Sequence, residues 1–518
     1  MSFEGGDFGF VGSSYTAADP TQDRQSSVNW YVEYSTDNKS KTPVAMLGAP
    51  GLSPILSTAA SITAGGEVRG GWVLPGGTRA IVVCGSSVGV MTMTVPATQT
   101  TRAQFSYAII GTISTNNGRV VIRDNGIGGY AMLADGVSNY LINLSTLAIT
   151  TIADAGFVAA QRLAFIDGWL IGNRPGTNQF FTNSPTPYTT TFNSTFFALK
   201  DSSSDNLVTL SALNRELWLI GERSYEIWYN AGGANFSFSR IPGINGGIGC
   251  AAVHSIASTG KSLLWLARSE RGQNIVVRTS QYGYEEVTNP AVAYQLSTYP
   301  LVSDAIGDTY EEGGHLFYQL TLPTADKTWV LDISETEKVG TPQWHERASF
   351  TSTTGAFHRA RANCFMNFQN LRIVGDYSSG YVHQLTRSVF TDAGFDPVTG
   401  LPTTEPLVCI RRAPILWSRE NRKRLFHSSL QVEFRPGVGL QNGQGSDPQF
   451  MLRWSDDGGE SFGNEHWVTI GKAGRFKNRA MFRRLGMARD RQYEGRFSDP
   501  VQRDIAGATL FAQGEKGG

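Results

Sequence analysis

The segment Ser455-Asp456-Asp457-Gly458-Gly459-Glu460-Ser461-Phe462 has the residue types and spacing Ser-x-Asp-x-Gly-x-Ser-aromatic. Its chemistry is that of a hairpin turn: Asp457 can accept hydrogen bonds from loop amides, Gly459 can take a positive φ, and Phe462 can tuck beneath the turn. Ser455, Asp457, Gly459, Ser461 and Phe462 are therefore expected to form a structural turn. Glycoside hydrolysis would need two carboxylates at catalytic separation, or a nucleophilic tyrosine with an arginine cluster. Glu285-Glu286 and Glu311-Glu312 are the nearest candidates, but adjacent residues of a strand point to opposite faces, so these pairs read as surface residues. His345, in Gln343-Trp344-His345-Glu346-Arg347, reads as hydrogen-bonded structure. Cys84, Cys250, Cys364 and Cys409 lie far apart without zinc-ligand spacing and read as reduced, mostly buried thiols. The chain has no phosphate loop or His-Glu-x-x-His. The expectation is a non-enzyme with no catalytic residue, no metal ligand and no cofactor.

The elements around these residues recur. Hairpin signals repeat along residues 79–385 at roughly 40 to 55 residue spacing, the signature of a radial array of small antiparallel sheets. Two copies share a tetrapeptide, Trp169-Leu170-Ile171-Gly172 and Trp218-Leu219-Ile220-Gly221, and Leu264-Trp265-Leu266-Ala267 is a near-copy. A large apolar residue at one place in successive blades fills the wedge between sheets. Trp169, Trp218 and Trp265 are accordingly expected to occupy similar inter-blade positions in a β-propeller of about six or seven blades.

Composition agrees with a mainly β chain. Glycine, at 58 of 518 residues, is well above its usual share of about 7% and points to many tight turns. No amphipathic helical run of three turns with caps at both ends is apparent, no apolar run reaches membrane-span length, and Met1-Ser2-Phe3-Glu4-Gly5-Gly6 is unlike a signal peptide. Synthesis in the cytoplasm is expected. Residues 1–60 read as an irregular segment joining the ring, 61–400 as the propeller, and 401–518 as an antiparallel β-sandwich-like module. The last rests on the alternating runs Ser429 to Phe434 and Gln449 to Trp454. Residues 401–518 carry 19 Lys/Arg against 13 Asp/Glu, a balance of +6 that leaves −6 for the rest of a chain with zero net charge. Such asymmetry suggests that the two regions meet different neighbours. Arg411, Arg412, Arg422, Lys423, Arg424, Arg483 and Arg484, within the basic clusters, are the interface candidates.

With those residues in view, the chain resembles the packaged-DNA stabilisation, or tail nozzle, proteins of short-tailed phages. The similarity is clearest in Leu217-Trp218-Leu219-Ile220-Gly221-Glu222-Arg223-Ser224-Tyr225-Glu226-Ile227-Trp228-Tyr229-Asn230. It continues through Glu312-Gly313-Gly314-His315-Leu316-Phe317-Tyr318, Thr328-Trp329-Val330-Leu331-Asp332, Val374-Gly375-Asp376-Tyr377 and Trp454-Ser455-Asp456-Asp457-Gly458-Gly459, in the family's order. The Gly/Gln stretch at 437–447 has no counterpart in that pattern. The resemblance implies a structural virion protein in a hexameric ring at the distal end of the tail tube, below the portal and adaptor. DNA would leave through it without sequence-specific binding, and spikes, fibres, a needle or a plug would dock on it. The rival reading is a carbohydrate-binding or glycan-cleaving propeller, since boxes like that at Ser455 recur around the propellers of sialidases; here there is one, outside the repeats.

Overall fold

The computed structural model describes residues 6–514 except 38, 56–65, 99–102, 128, 155–157, 234–235, 270, 397–401 and 419–422. The expected divisions at 60/61 and 400/401 therefore lie outside the described residues. Among the described residues, short antiparallel strands dominate, with two short helices, Pro290–Thr298 and Ile333–Val339.

Seven sheets follow one another in chain order as blades, within the range the repeats predict. Blades 1 to 4 are four-stranded meanders whose innermost strands are Val68–Val73, Val121–Asp124, Leu163–Ile166 and Leu207–Leu213. Blade 5 pairs Gly249–Cys250 and Ala257–Ser258 with one strand, Leu263–Arg268. Blade 6 starts at Ile306–Glu312 and blade 7 at Ala362–Phe368. Between successive blades, apolar clusters take residues from both facing sheets, so each blade is buried by its neighbours.

The inner strands approach closely enough to need residues without side chains. A Cβ on Gly307 would meet the Ser255 carbonyl oxygen at 1.9 Å, so the contact between blades 5 and 6 requires glycine.

Closure is made by the N-terminal segment, which departs from its expected irregularity. Gly51–Pro54 pairs with Val382–Thr386, Leu52 opposite Leu385, and becomes the outer strand of blade 7. Trp30–Tyr34 and Val44–Gly48 join Ile505–Gly514, Leu425–Phe434 and Ala480–Ala488 in one sheet of the C-terminal sandwich. Arg24–Val28 lies between Gln343–Glu346 of blade 6 and Cys409–Arg412, which continues into Asp490–Phe497 and Gln449–Ser455. Blade 6 and the second sandwich sheet are thus one hydrogen-bonded surface. The sandwich core between the sheets is large and aromatic, with Trp30, Phe450, Tyr493 and Phe497 fully buried.

Candidate functional site

The segment at Ser455 folds as the turn its chemistry requires. Asp457 accepts from the backbone amides of Glu460 (3.0 Å) and Ser461 (3.0 Å) and from the hydroxyls of Ser455 (2.5 Å) and Ser461 (2.5 Å). These donors hold its carboxyl well below the usual carboxylate range. Gly459 has φ +91 and donates to the Ser455 hydroxyl at 2.8 Å. Phe462 lies between two guanidiniums, Arg453 at 4.9 Å and Arg412 at 5.1 Å from its ring centroid. All of these donors belong to the loop itself, which leaves Asp457 a turn-builder.

The basic clusters divide into structural and exposed members. Arg411, nominated as an interface residue, is fully buried. Its guanidinium donates to the carbonyls of Phe10 (2.6 Å), Ser13 (3.0 Å) and Gly9 (3.1 Å) and to the Gln25 side chain (2.7 Å). Burial pushes it down to about 9. It cannot serve a subunit contact: it clamps the N-terminal segment onto the sandwich. Arg412 is half-buried and, with Arg453, donates to the buried carboxylate of Glu494, each Nε at 2.6 Å. Lys423, Arg424, Arg483 and Arg484 are exposed, whereas Arg422 lies outside the described residues. Among the described residues, sequence reasoning missed three further fully buried arginines, Arg69, Arg491 and Arg503. Arg69 of blade 1 donates to the carbonyl of Gly85 in its own blade and to those of Thr115, Asn117 and Gly118 in the connection to blade 2.

The three tryptophans are buried on the second strands of blades 3, 4 and 5. They do not share one position. Trp169 faces Leu217 and Leu219 of blade 4, and Trp218 faces blade 5, but Trp265 points back into the same space as Trp218. The reason is register: in Leu264-Trp265-Leu266-Ala267 the indole sits one residue later than in the other copies, and a shift of one residue reverses the face of a strand.

The nominated carboxylates do not assemble a glycosidase pair. Glu285 is exposed beside Arg278 at 3.8 Å. Glu311 is exposed, while Glu312 is buried and accepts from the Arg387 amide at 2.8 Å. A cavity of about 450 Å³ lined by Thr309, Glu311, Asn367, Gln369 and Arg372 has Glu311 as its one carboxylate, where a two-carboxylate mechanism needs a second. His345 is buried against the rings of Tyr31 and Phe317, and burial lowers its affinity for a proton well below that of a free imidazole. Among the described residues no group of three or more His, Cys, Asp or Glu is placed to hold a metal ion.

The propeller axis is bridged by side chains. Arg119 of blade 2 reaches across to Asp308 of blade 6 (3.0 Å) and to the Asn363 carbonyl of blade 7 (2.5 Å). Arg162 of blade 3 reaches the Ile256 carbonyl of blade 5 (3.1 Å). No sequence signal marked these residues, because their partners come from other blades.

Two family models match the chain in order: "Bacteriophage P22 Gp10, beta-propeller" over residues 24–390 and "Bacteriophage P22 Gp10, beta-sandwich" over residues 413–513. No curated protein matches. Among solved structures, the N-terminal domain of Nup159 is similar at 10% identity and a TM-score of 0.40, covering 70% of this chain and 99% of that one. The Pan2 WD40 domain of Neurospora crassa is similar at 8% identity and a TM-score of 0.38, covering 68% and 97%.

Proposed function

The chain belongs to the bacteriophage P22 Gp10 family of packaged-DNA stabilisation proteins, structural components of the virion tail, and we propose that it is a non-enzymatic nozzle subunit. In this reading six copies close into a ring below the portal and adaptor, hold the packaged genome, form its exit channel, and dock spikes, fibres or a plug. The observation that carries the reading is the bridged axis. With Arg119 and Arg162 spanning it, a duplex cannot thread a single propeller, which supports a conduit made between subunits.

Cyclic closure sets two different faces of neighbouring subunits against each other, which suits a chain whose sandwich region is basic and whose remainder is acidic. A conduit for DNA should not grip phosphates, since each neutralised phosphate adds salt-sensitive affinity. The exposed basic residues are therefore assigned to subunit or adaptor contacts, where arginine pairs with carboxylates. Replacing Arg422, Lys423 and Arg424 together with Ser tests this. Co-sedimentation with tail particles should fall while duplex-DNA affinity stays near its starting value. Full assembly combined with loss of a strong, salt-sensitive DNA affinity would overturn the assignment.

A further inference from the structure

The Gly/Gln stretch at 437–447 has so far no role, and it folds against a second loop, the connection 471–479 between His466–Thr469 and Ala480–Ala488. A Cβ on Gly437 would lie 2.6 Å from the Phe476 ring, and one on Gly439 would lie 2.9 Å from the Ala473 nitrogen, so the two loops touch through glycine backbone. Both are tied down. The Leu440 amide donates to the Gly445 carbonyl at 2.8 Å and the Arg475 amide to the Lys472 carbonyl at 3.0 Å. The Asn478 side-chain amide donates to the Thr469 carbonyl at 2.8 Å, and the Thr469 hydroxyl to Asp447 at 2.5 Å. Every residue of 440–444 and 472–477 is nonetheless exposed, so the paired loops form a convex tip on the sandwich.

The tip joins apolar side chains to unanswered positive charge. Phe476 is 70% exposed, the most of any large apolar side chain among the described residues, and Leu440 is 42% exposed. The residues 435–447 and 471–479 carry five cations, Arg435, Lys472, Arg475, Lys477 and Arg479, all exposed, against one carboxylate, Asp447. Asp447 lies 3.8 Å from Lys472. Among the described residues Arg475, Lys477 and Arg479 have no carboxylate within ion-pair distance. Arg475 and Lys477 flank Phe476 directly.

A partner for this tip has to be anionic at its surface and apolar just beneath. Duplex DNA meets the first condition and fails the second, because its bases are stacked inside and Phe476 and Leu440 would stay in water. A folded acidic protein would need a concavity shaped to the tip. A bilayer with anionic headgroups meets both conditions, and its fluid surface conforms to a convex shape.

We propose that Leu440 and Phe476, with Lys472, Arg475, Lys477 and Arg479, form a tip that docks on a membrane surface bearing anionic lipid headgroups. The ring and the leucine enter the boundary between headgroups and acyl chains while the cations meet lipid phosphates. The contact is peripheral, made by loops; no helix among the described residues is long and apolar enough to cross a membrane. In the nozzle proposed above, such a tip would seat the tail on the host envelope, but the docking itself stands without that reading.

The test is flotation of the full chain with vesicles of equal parts phosphatidylcholine and phosphatidylglycerol, and with vesicles of phosphatidylcholine alone. The chain should float with the mixed vesicles only, and less so as salt is raised. The double variant Leu440→Ser with Phe476→Ser should bind the mixed vesicles at least about tenfold more weakly, the loss of one buried aromatic side chain. Replacing Lys472, Arg475, Lys477 and Arg479 with Gln should weaken binding at least about a hundredfold. All six positions are exposed, and an unchanged melting temperature would show that each variant is folded. The proposal is overturned by a parent chain that does not float, by equal flotation with both vesicle types, or by variants that float like the parent. It is equally overturned if the double variant keeps its vesicle binding but no longer joins tail particles, which would make the tip a protein contact.

Discussion

Arg411 shows how far a residue's role depends on which face of its strand it occupies. It shares the buried side of Cys409–Arg412 with Cys409, and the carbonyls of Gly9, Phe10 and Ser13 close over its guanidinium. Arg411→Ala should cost about 3–5 kcal/mol, because several buried acceptors lose their donor at once. Melting temperature should fall, and protease should cut near residues 9–13 first. The clamp was not readable from sequence, which marked Arg411 as an interface candidate, since its acceptors lie some 400 positions earlier. Asp457 was legible because every partner lies within four residues. Asp457→Ala should lower the melting temperature of the sandwich and leave glycan-cleavage assays at background with or without the change. Asp392 has the opposite character. It is buried, and burial pushes its carboxyl up to about 6. Its folded value exceeds the unfolded one, so as pH rises from about 4 to about 6 the unfolded chain releases its proton first and stability is lost. Asp392→Asn should match the parent near pH 4 and be more stable by about 1–3 kcal/mol at pH 7, read from melting curves across that range.

At the scale of elements, the blades are held by facing sheets rather than by their own cores. Trp218 and Trp265 enter one cluster from blades 4 and 5. Either truncation to Ala should cost about 3–5 kcal/mol. The double variant should lose less than the sum, because the two share a cavity, and denaturant melts of all four proteins would measure the difference. Gly307→Ala should cost about 1–3 kcal/mol by forcing apart blades 5 and 6, seen in the same melts. The repeat was legible because hairpins are local: Trp169 and Trp218 carry the same tetrapeptide at the same place in adjacent blades. What the repeat could not convey is closure. Leu52 pairs with Leu385, and Val28 sits between Glu346 and Ile410, pairings that no local pattern announces. That is why residues 24–54 read as irregular and fold as strands.

At the scale of the molecule, blade 6 and the sandwich share one sheet through Arg24–Val28, which couples propeller and sandwich in a single unit. The fold class and the family were legible in the sequence, through hairpin period and motif order. The bridged axis was not, since Arg119, Arg162, Ile256 and Asp308 lie on four blades and have no common spacing. In the proposed ring this unit would be one wedge, and exposed basic residues such as Arg483 and Arg484 would meet a neighbour. The most direct test is the mass of the purified protein measured alone and after mixing with its tail adaptor. A closed hexamer, formed alone or on the adaptor and disrupted when the exposed basic residues are replaced, is the predicted result. A monomer that stays monomeric with the adaptor present would contradict the account.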